Sequence, residues 1–63
     1  MKYVYLLING DEWEDMVIFL NEKEAKQASI KWSNVRIEIF SKSEFGYLPT
    51  YLYYQNGEIF QTE

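Results

Sequence analysis

Only one segment of this sequence has the pattern of a helix, and its other apolar segments have the patterns of strands. The chain has 63 residues, of which 48% are hydrophobic and 19% aromatic. Such a length supports one core, so we expect a single α+β domain over residues 1–63. The predicted sheet is mainly antiparallel, with four or five strands in the order ββαβββ. One short helix can pack on only one of its faces.

The helix signal begins at Asn21, whose side chain can cap free backbone N–H groups. Glu24 stands three residues later and can reach back, as in a capping box. The predicted helix runs from about Glu22 to Trp32, with Asn34 as a left-handed C-terminal cap. Ile30 falls on its outer side and is expected to be exposed. The inner side is a narrow arc of small residues with one large ring: Ala25, Ala28, Ser29 and Trp32.

The first predicted strand, Lys2–Ile8, is apolar at both alternating sets of positions, which indicates an interior strand. A two-residue turn at Asn9-Gly10 would place the acidic residues that follow opposite core positions. We therefore predict a loop from Asn9 to about Asp15 and a second strand from Met16 to Leu20. The remaining strands are expected at 35–40, 50–54 and 58–61, with a loop at 41–49 and a type I′ turn at Asn56-Gly57.

The two faces of this sheet are expected to differ in chemistry. The helix would pack on the aliphatic set Val4, Leu6, Ile8, Val35, Ile37 and Ile39. The other face would be aromatic and uncovered, and an exposed apolar patch of that size commonly marks an interface. The predicted partner-binding residues are Tyr3, Tyr5, Tyr51, Tyr53 and Phe60, together with Trp13 of the acidic loop and Ile30 of the helix.

Several occupants of the aromatic face remain open. A second copy could stack its sheet at ~10 Å and form a homodimer, adding burial that a small domain lacks. A different protein could bind there instead. Single-stranded nucleic acid could stack on the rings, although a net charge of −4 and a single arginine oppose it. Duplex nucleic acid is a poor partner, because no segment gathers Lys and Arg. Burial of the rings inside one subunit is the structural alternative.

The acidic segment 11–15 surrounds Trp13 with four carboxylates: Asp11, Glu12, Glu14 and Asp15. It is either a solvated loop whose Trp13 folds back onto the sheet or a protein-binding element. In the second case the ring anchors the contact and the acids steer a basic partner. Calcium loops need a glycine turn and a terminal bidentate Glu that this segment lacks, so no metal is expected.

The chemistry of most enzymes is missing from the composition. The absence of Cys and His excludes thiol nucleophiles, Ser-His-Asp arrangements and thiolate or imidazole metal sites. The three glycines are too far apart for a phosphate-binding loop. We therefore expect a non-enzymatic protein without a cofactor. The apolar run Tyr3–Ile8 is too short for a signal peptide or membrane span, so we expect no membrane partner and an intracellular, cytoplasmic location.

The order E-D-M-V-I-F-L-N-E-K-E-A joins a hydrophobic strand directly to a capped helix, and V-R-I-E-I-F follows as another strand. This arrangement resembles small uncharacterised strand-strand-helix-strand proteins of large double-stranded DNA viruses and phages. The resemblance covers Tyr3 to about Phe40. It implies a viral or phage accessory protein, and it carries no assigned activity or site residues.

Overall fold

A computed structural model describes residues 1–9 and 13–62 of the chain. Five antiparallel strands form one sheet with one helix packed on it, which confirms the α+β prediction. No helix in this part of the chain is both long and apolar enough to cross a bilayer. The elements are β1 Tyr3–Ile8, a 3₁₀ turn Trp13–Asp15, β2 Met16–Phe19, α1 Glu22–Lys31, β3 Ile37–Ser43, β4 Gly46–Gln55 and β5 Glu58–Gln61. In the sheet the strands lie in the order β2-β1-β3-β4-β5.

The β4–β5 hairpin forms as predicted. Asn56 and Gly57 both have positive φ, 51° and 79°, as a type I′ turn requires. The register then pairs Tyr54 with Ile59 and Tyr53 with Phe60. A connection longer than a two-residue turn also joins β1 to β2, because Ile8 pairs with Met16. The Gly10–Glu12 part of that connection lies outside the described residues.

The predicted loop at 41–49 is wrong, because β3 continues to Ser43 and β4 begins at Gly46. A proline within a strand needs a local adjustment, because it cannot donate to the strand ladder. Pro49 is accommodated beside an irregularity, where the β3–β4 register shifts between Ile39 and Phe40. There the hydroxyl of Thr50 donates to the Ile39 carbonyl (2.8 Å) and accepts from the Leu52 N–H (3.1 Å). A side chain thus replaces part of the backbone ladder.

The helix begins as predicted, with the Asn21 Oδ1 accepting from the N–H groups of Lys23 (2.7 Å) and Glu24 (3.2 Å). It ends at Lys31 with Trp32 as its C-terminal cap. The left-handed cap predicted at Asn34 is wrong, because among the described non-glycine residues only Tyr51 and Asn56 have positive φ. Ala25, Ala28 and Ser29 are buried as predicted, but Trp32 is half-exposed at the end of the helix.

The helix packs on the face opposite to the predicted one for β1. The register pairs Leu7 with Ile37 and Tyr5 with Ile39, so the odd-numbered residues of β1 share a face with the buried isoleucines of β3. An alternation of apolar residues cannot select a face when both alternating sets are apolar. We call the side of the sheet on which the helix packs the helix face. The core between the helix and this face consists of Tyr5, Leu7, Ala25, Ala28, Ile37, Ile39 and Tyr54.

The opposite side of the sheet is called the open face. It contains Val4, Leu6 and Ile8 of β1, Met16 and Ile18 of β2, Glu38 and Phe40 of β3, Tyr53 of β4 and Phe60 of β5, as their pairings show. No described helix covers it. Val4, Leu6 and Ile8, which were predicted to lie beneath the helix, therefore form part of the uncovered surface.

Candidate interaction surfaces

The predicted aromatic patch is divided between the two faces. Tyr53 and Phe60 lie on the open face, as expected. The prediction for Tyr5 is wrong, because this ring is only 5% exposed and packs in the core beneath the helix. Tyr3 shares the helix face with Tyr5, near its margin, and is partly exposed. Tyr51 is exposed at the β4 irregularity with φ 66°, so it does not extend the Tyr53–Phe60 row.

An ordered aromatic group occupies the β4–β5 half of the open face. The rings of Tyr53 and Phe60 stack with centroids 5.6 Å apart and an angle of 25° between their planes. The Arg36 guanidinium lies 3.7 Å from the centre of the Tyr53 ring. Its Nε contacts the Glu38 carboxylate at 3.0 Å, and its Nη2 donates to the Thr62 hydroxyl at 2.6 Å. These contacts hold the rings in place on a face that no described helix covers.

The β1–β2 half of the open face is aliphatic. Val4 is buried among its neighbours on the sheet, and Leu6 is partly buried. Exposure increases toward the edge, where Ile8 and Ile18 each present about half of their surface. The aliphatic half and the aromatic half meet at β3, whose side chains on the open face are Glu38, Phe40 and Lys42, with Arg36 directly before the strand.

A cleft opens on the helix face beside β2. Its walls are Leu7, Val17, Phe19, Trp32 and Val35, and Asn9 and Asp15 stand at one end. Its volume is about 300 Å³, which is at the small end of the range for ligand sites and suits a side chain better than a whole ligand. The sequence pattern predicted Trp32 on the inner side of the helix, in the core. Because the helix ends at Lys31, the ring instead forms one wall of this opening.

Trp13 lies in the 3₁₀ turn directly before β2 and is 76% exposed. The interpretation that this ring folds back onto the sheet is therefore wrong. Glu14 and Asp15 beside it are also exposed. Asp11 and Glu12 lie outside the described residues, and within residues 1–9 and 13–62 no three acidic side chains gather as a metal site would need.

Ile30 is exposed as predicted, but it also contacts the β4–β5 turn. A Cβ built on Gly57 would stand 3.0 Å from its Cγ1, so the side chain packs directly against that glycine. Ser29 fixes the same contact, because its Oγ accepts from the Gly57 N–H at 2.9 Å. Ile30 therefore has a structural role in docking the helix on the hairpin.

Two tyrosines beneath the helix, Tyr5 and Tyr54, have raised pKa values. Burial raises the pKa of Tyr5 and of Tyr54, and the nearby carboxylate of Glu22 raises both further. Their rings are 6.1 Å apart and tilted by 39°. The burial of both rings is in keeping with a role in packing.

Neither a protein-family model, nor a curated protein, nor a solved structure matches this chain. Proposals about its function therefore depend on the residues of its own surfaces.

Proposed function

We propose that this protein is a small non-enzymatic interaction module that self-associates through the open face of its sheet. The observation that carries the proposal is the sheet face that no described helix covers, with hydrophobic side chains on both sides of β3, from Ile18 on β2 to Phe60 on β5. Ile8, Ile18 and Phe60 are exposed on this face, and Leu6, Met16, Phe40 and Tyr53 are partly exposed there. A domain of this size buries only about 60% of its unfolded surface and gains most from a second subunit.

The charge of the open face favours a second copy. The positive charges of Arg36 and Lys42 are balanced there by the carboxylates of Glu38 and Glu58. Phe40 and Phe60 lie two residues further along the same strands, on the same face. Two such faces can approach without net repulsion. Paired sheets stack ~10 Å apart, which suits a surface of interlocking aliphatic and aromatic side chains.

The size of the face predicts a weak dimer. Five strands ~4.8 Å apart and six residues at ~3.3 Å per residue give a face of about 24 by 20 Å. Two copies would bury on the order of 1,000 Å² in total, the lower limit for a biological interface. We therefore expect a reversible, concentration-dependent dimer.

The test compares two neighbouring residues of β5 that point to opposite faces. Light scattering over a concentration series should show the mass rising from 7.6 kDa toward twice that value. Phe60→Lys, at a position 42% exposed on the open face, should keep the protein monomeric. Ile59→Lys, at a position 55% exposed on the helix face, should still dimerise. If Phe60→Lys does not fold, Ile8→Lys replaces it at the other end of the open face.

A mass that stays at 7.6 kDa at millimolar concentration would refute self-association. Equal behaviour of the two β5 variants would assign the dimer to another surface.

Single-stranded nucleic acid is the alternative occupant, because Tyr53 and Phe60 form a stacked pair beside Arg36. Arg36 is already engaged by Glu38 and Thr62, which weakens that alternative. Salt-sensitive binding of a labelled oligonucleotide, lost in Phe60→Lys, would establish it instead.

For the biological setting we propose a viral or phage accessory protein, which is what the resemblance of residues 3–40 to small proteins of large double-stranded DNA viruses and phages implies. An accessory protein of this kind would act inside the infected cell, in the cytoplasm, by binding other proteins. Affinity purification from infected and uninfected host cells tests this setting, since recovery of the protein without infection would contradict it.

A further inference from the structure

The outer edge of β2 differs from the opposite edge of the sheet. Natural sheets protect their edges with charges, prolines or bulges, because a free row of N–H and C=O groups can pair with another chain. β2 reads Met-Val-Ile-Phe and contains none of these devices. No described strand pairs with it on its outer side. At the other edge, β5 includes Glu58 and Gln61, and its end is fastened by the Thr62 N–H donating to the Tyr51 carbonyl.

The cleft of about 300 Å³ lies directly beside this edge. Val17 of β2 is 46% exposed on the cleft side and faces Trp32 across the opening. A strand added to β2 would lie ~4.8 Å farther out, and its side chains on the helix face would stand next to Val17. One large apolar side chain from such a strand can reach the cleft.

The sequence on both sides of β2 is acidic. Residues 11–24 contain six of the ten acidic residues and one of the six basic residues, which gives this segment a charge of −5 and the remainder +1. Glu14 and Asp15 are exposed immediately before β2. Pairing of β2 with β2 of a second copy would bring two such segments together, which like-charge repulsion disfavours.

We propose that β2 captures an extended basic segment of another protein by strand addition, with one large apolar side chain of that segment in the cleft. Backbone hydrogen bonds to the free edge would give affinity, and the cleft with the neighbouring carboxylates would give specificity. This surface is separate from the proposed dimer contact, because Val17 and Phe19 point to the helix face. The segment can bind to monomer or dimer.

The probe is a synthetic peptide of alternating valine and threonine with a central tryptophan and two lysines at each end. Its matched control carries glutamates in place of the lysines. Fluorescence anisotropy at low salt should show binding of the basic peptide at least about tenfold tighter than that of the acidic one, and added salt should reduce the difference. Amide hydrogen exchange should slow at β2 when the basic peptide is bound, and not at β5.

Val17→Lys and Ile59→Lys are the matched variants, since both place a lysine on the helix face of an edge strand. Val17→Lys should weaken binding of the basic peptide by at least about tenfold, and Ile59→Lys should change it by less than about twofold. If Val17→Lys does not fold, Asp15→Lys tests the same prediction from an exposed position. Phe60→Lys should leave binding intact, which separates this proposal from self-association.

Three results would overturn the proposal: no binding of the basic peptide, equal binding of both peptides, or protection of amides at β5 rather than β2. Loss of binding in Phe60→Lys with retention in Val17→Lys would move the site to the open face.

Discussion

Tyr53 and Tyr54 are neighbours on β4, and they represent the two faces of the sheet. Tyr54 is 6% exposed beneath the helix, where it meets Tyr5. Tyr53 points the other way, where it stacks with Phe60 and lies against the Arg36 guanidinium on the face that no described helix covers. Both faces are built from aliphatic and aromatic side chains. The difference shows that the layer above a strand, and not the residue type within it, decides which ring becomes core.

The helix can pack closely on the helix face because the side chains on its inner side are small. Ala25 and Ala28 let the helix axis come close to the sheet, so that the large side chains of the strands fill the space between. Within the described part of the chain no helix packs on the open face, yet its rings are held by neighbouring side chains. An aromatic group that is already ordered loses less conformational freedom on binding, which favours the open face as an interface.

The largest expected effect on stability is the difference between truncating Tyr54 and truncating Tyr53. Tyr54→Ala should lower the free energy of unfolding by about 3 kcal/mol, because it leaves a cavity beneath the helix. In a domain of this size that loss is a large part of the total stability. Tyr53→Ala removes a ring packed on one side only and should cost about 1 kcal/mol. Urea unfolding followed by circular dichroism, at a concentration where the protein is monomeric, measures both values.

Equal losses in the two variants would contradict the assignment of the faces. A larger loss in Tyr53→Ala would mean that the open face is the true core of the monomer. Repeating the measurement at high protein concentration sharpens the comparison, because a dimer formed through the open face adds to the stability of the parent and not of Tyr53→Ala.

A second, smaller loss of stability is expected at the contact between the helix and the β4–β5 hairpin, which carries Tyr53 and Tyr54. Ser29 is fully buried, and its Oγ donates to the Lys26 carbonyl at 2.7 Å while accepting from the Gly57 N–H. Ser29→Ala leaves that turn N–H without its partner and should cost about 1–2 kcal/mol in urea unfolding. The exposed Ser33→Ala is the control and should change stability by less than about 0.5 kcal/mol.

Faster amide exchange at Gly57 in Ser29→Ala, without a change in the β1–β3 amides, would localise the effect to the hairpin contact. A loss no larger than that of Ser33→Ala would mean that the helix is held by its alanine face alone.

The sequence was sufficient where a local pattern determines local geometry. The Asn21 cap, the Asn56-Gly57 turn and the pairing of Tyr53 with Phe60 each depend on residues close together in the chain. The sequence was insufficient where the outcome depends on register. β1 is apolar at every position, so nothing within it indicates that Tyr5 and Leu7 lie beneath the helix; only the pairing with Ile37 and Ile39 does. The same limit hid Val17 and Trp32, which form a cleft only when the helix ends where it does.

The smallest expected effect is the response of the helix face to alkaline pH. The pKa values of Tyr5 and Tyr54 are raised in the folded protein, first by burial and then by Glu22, so the folded state keeps these protons after the unfolded state has lost them. Their stabilising contribution is therefore complete below a pH of about 10 and decreases as the pH rises above it. Glu22→Gln removes one cause of the raised values and should reduce the stability lost between pH 7 and about pH 10.5.

Glu24→Gln is the matched control, because it removes a carboxylate from the same helical turn that does not affect either tyrosine. Its loss of stability between the two pH values should equal that of the parent protein. Comparing the difference between pH values, rather than stability at one pH, cancels the effect of each substitution on the helix N-terminus. If Glu22→Gln and Glu24→Gln behave alike, the two rings do not sense the first turn of the helix, and the close packing of α1 over Tyr5 and Tyr54 would have to be revised.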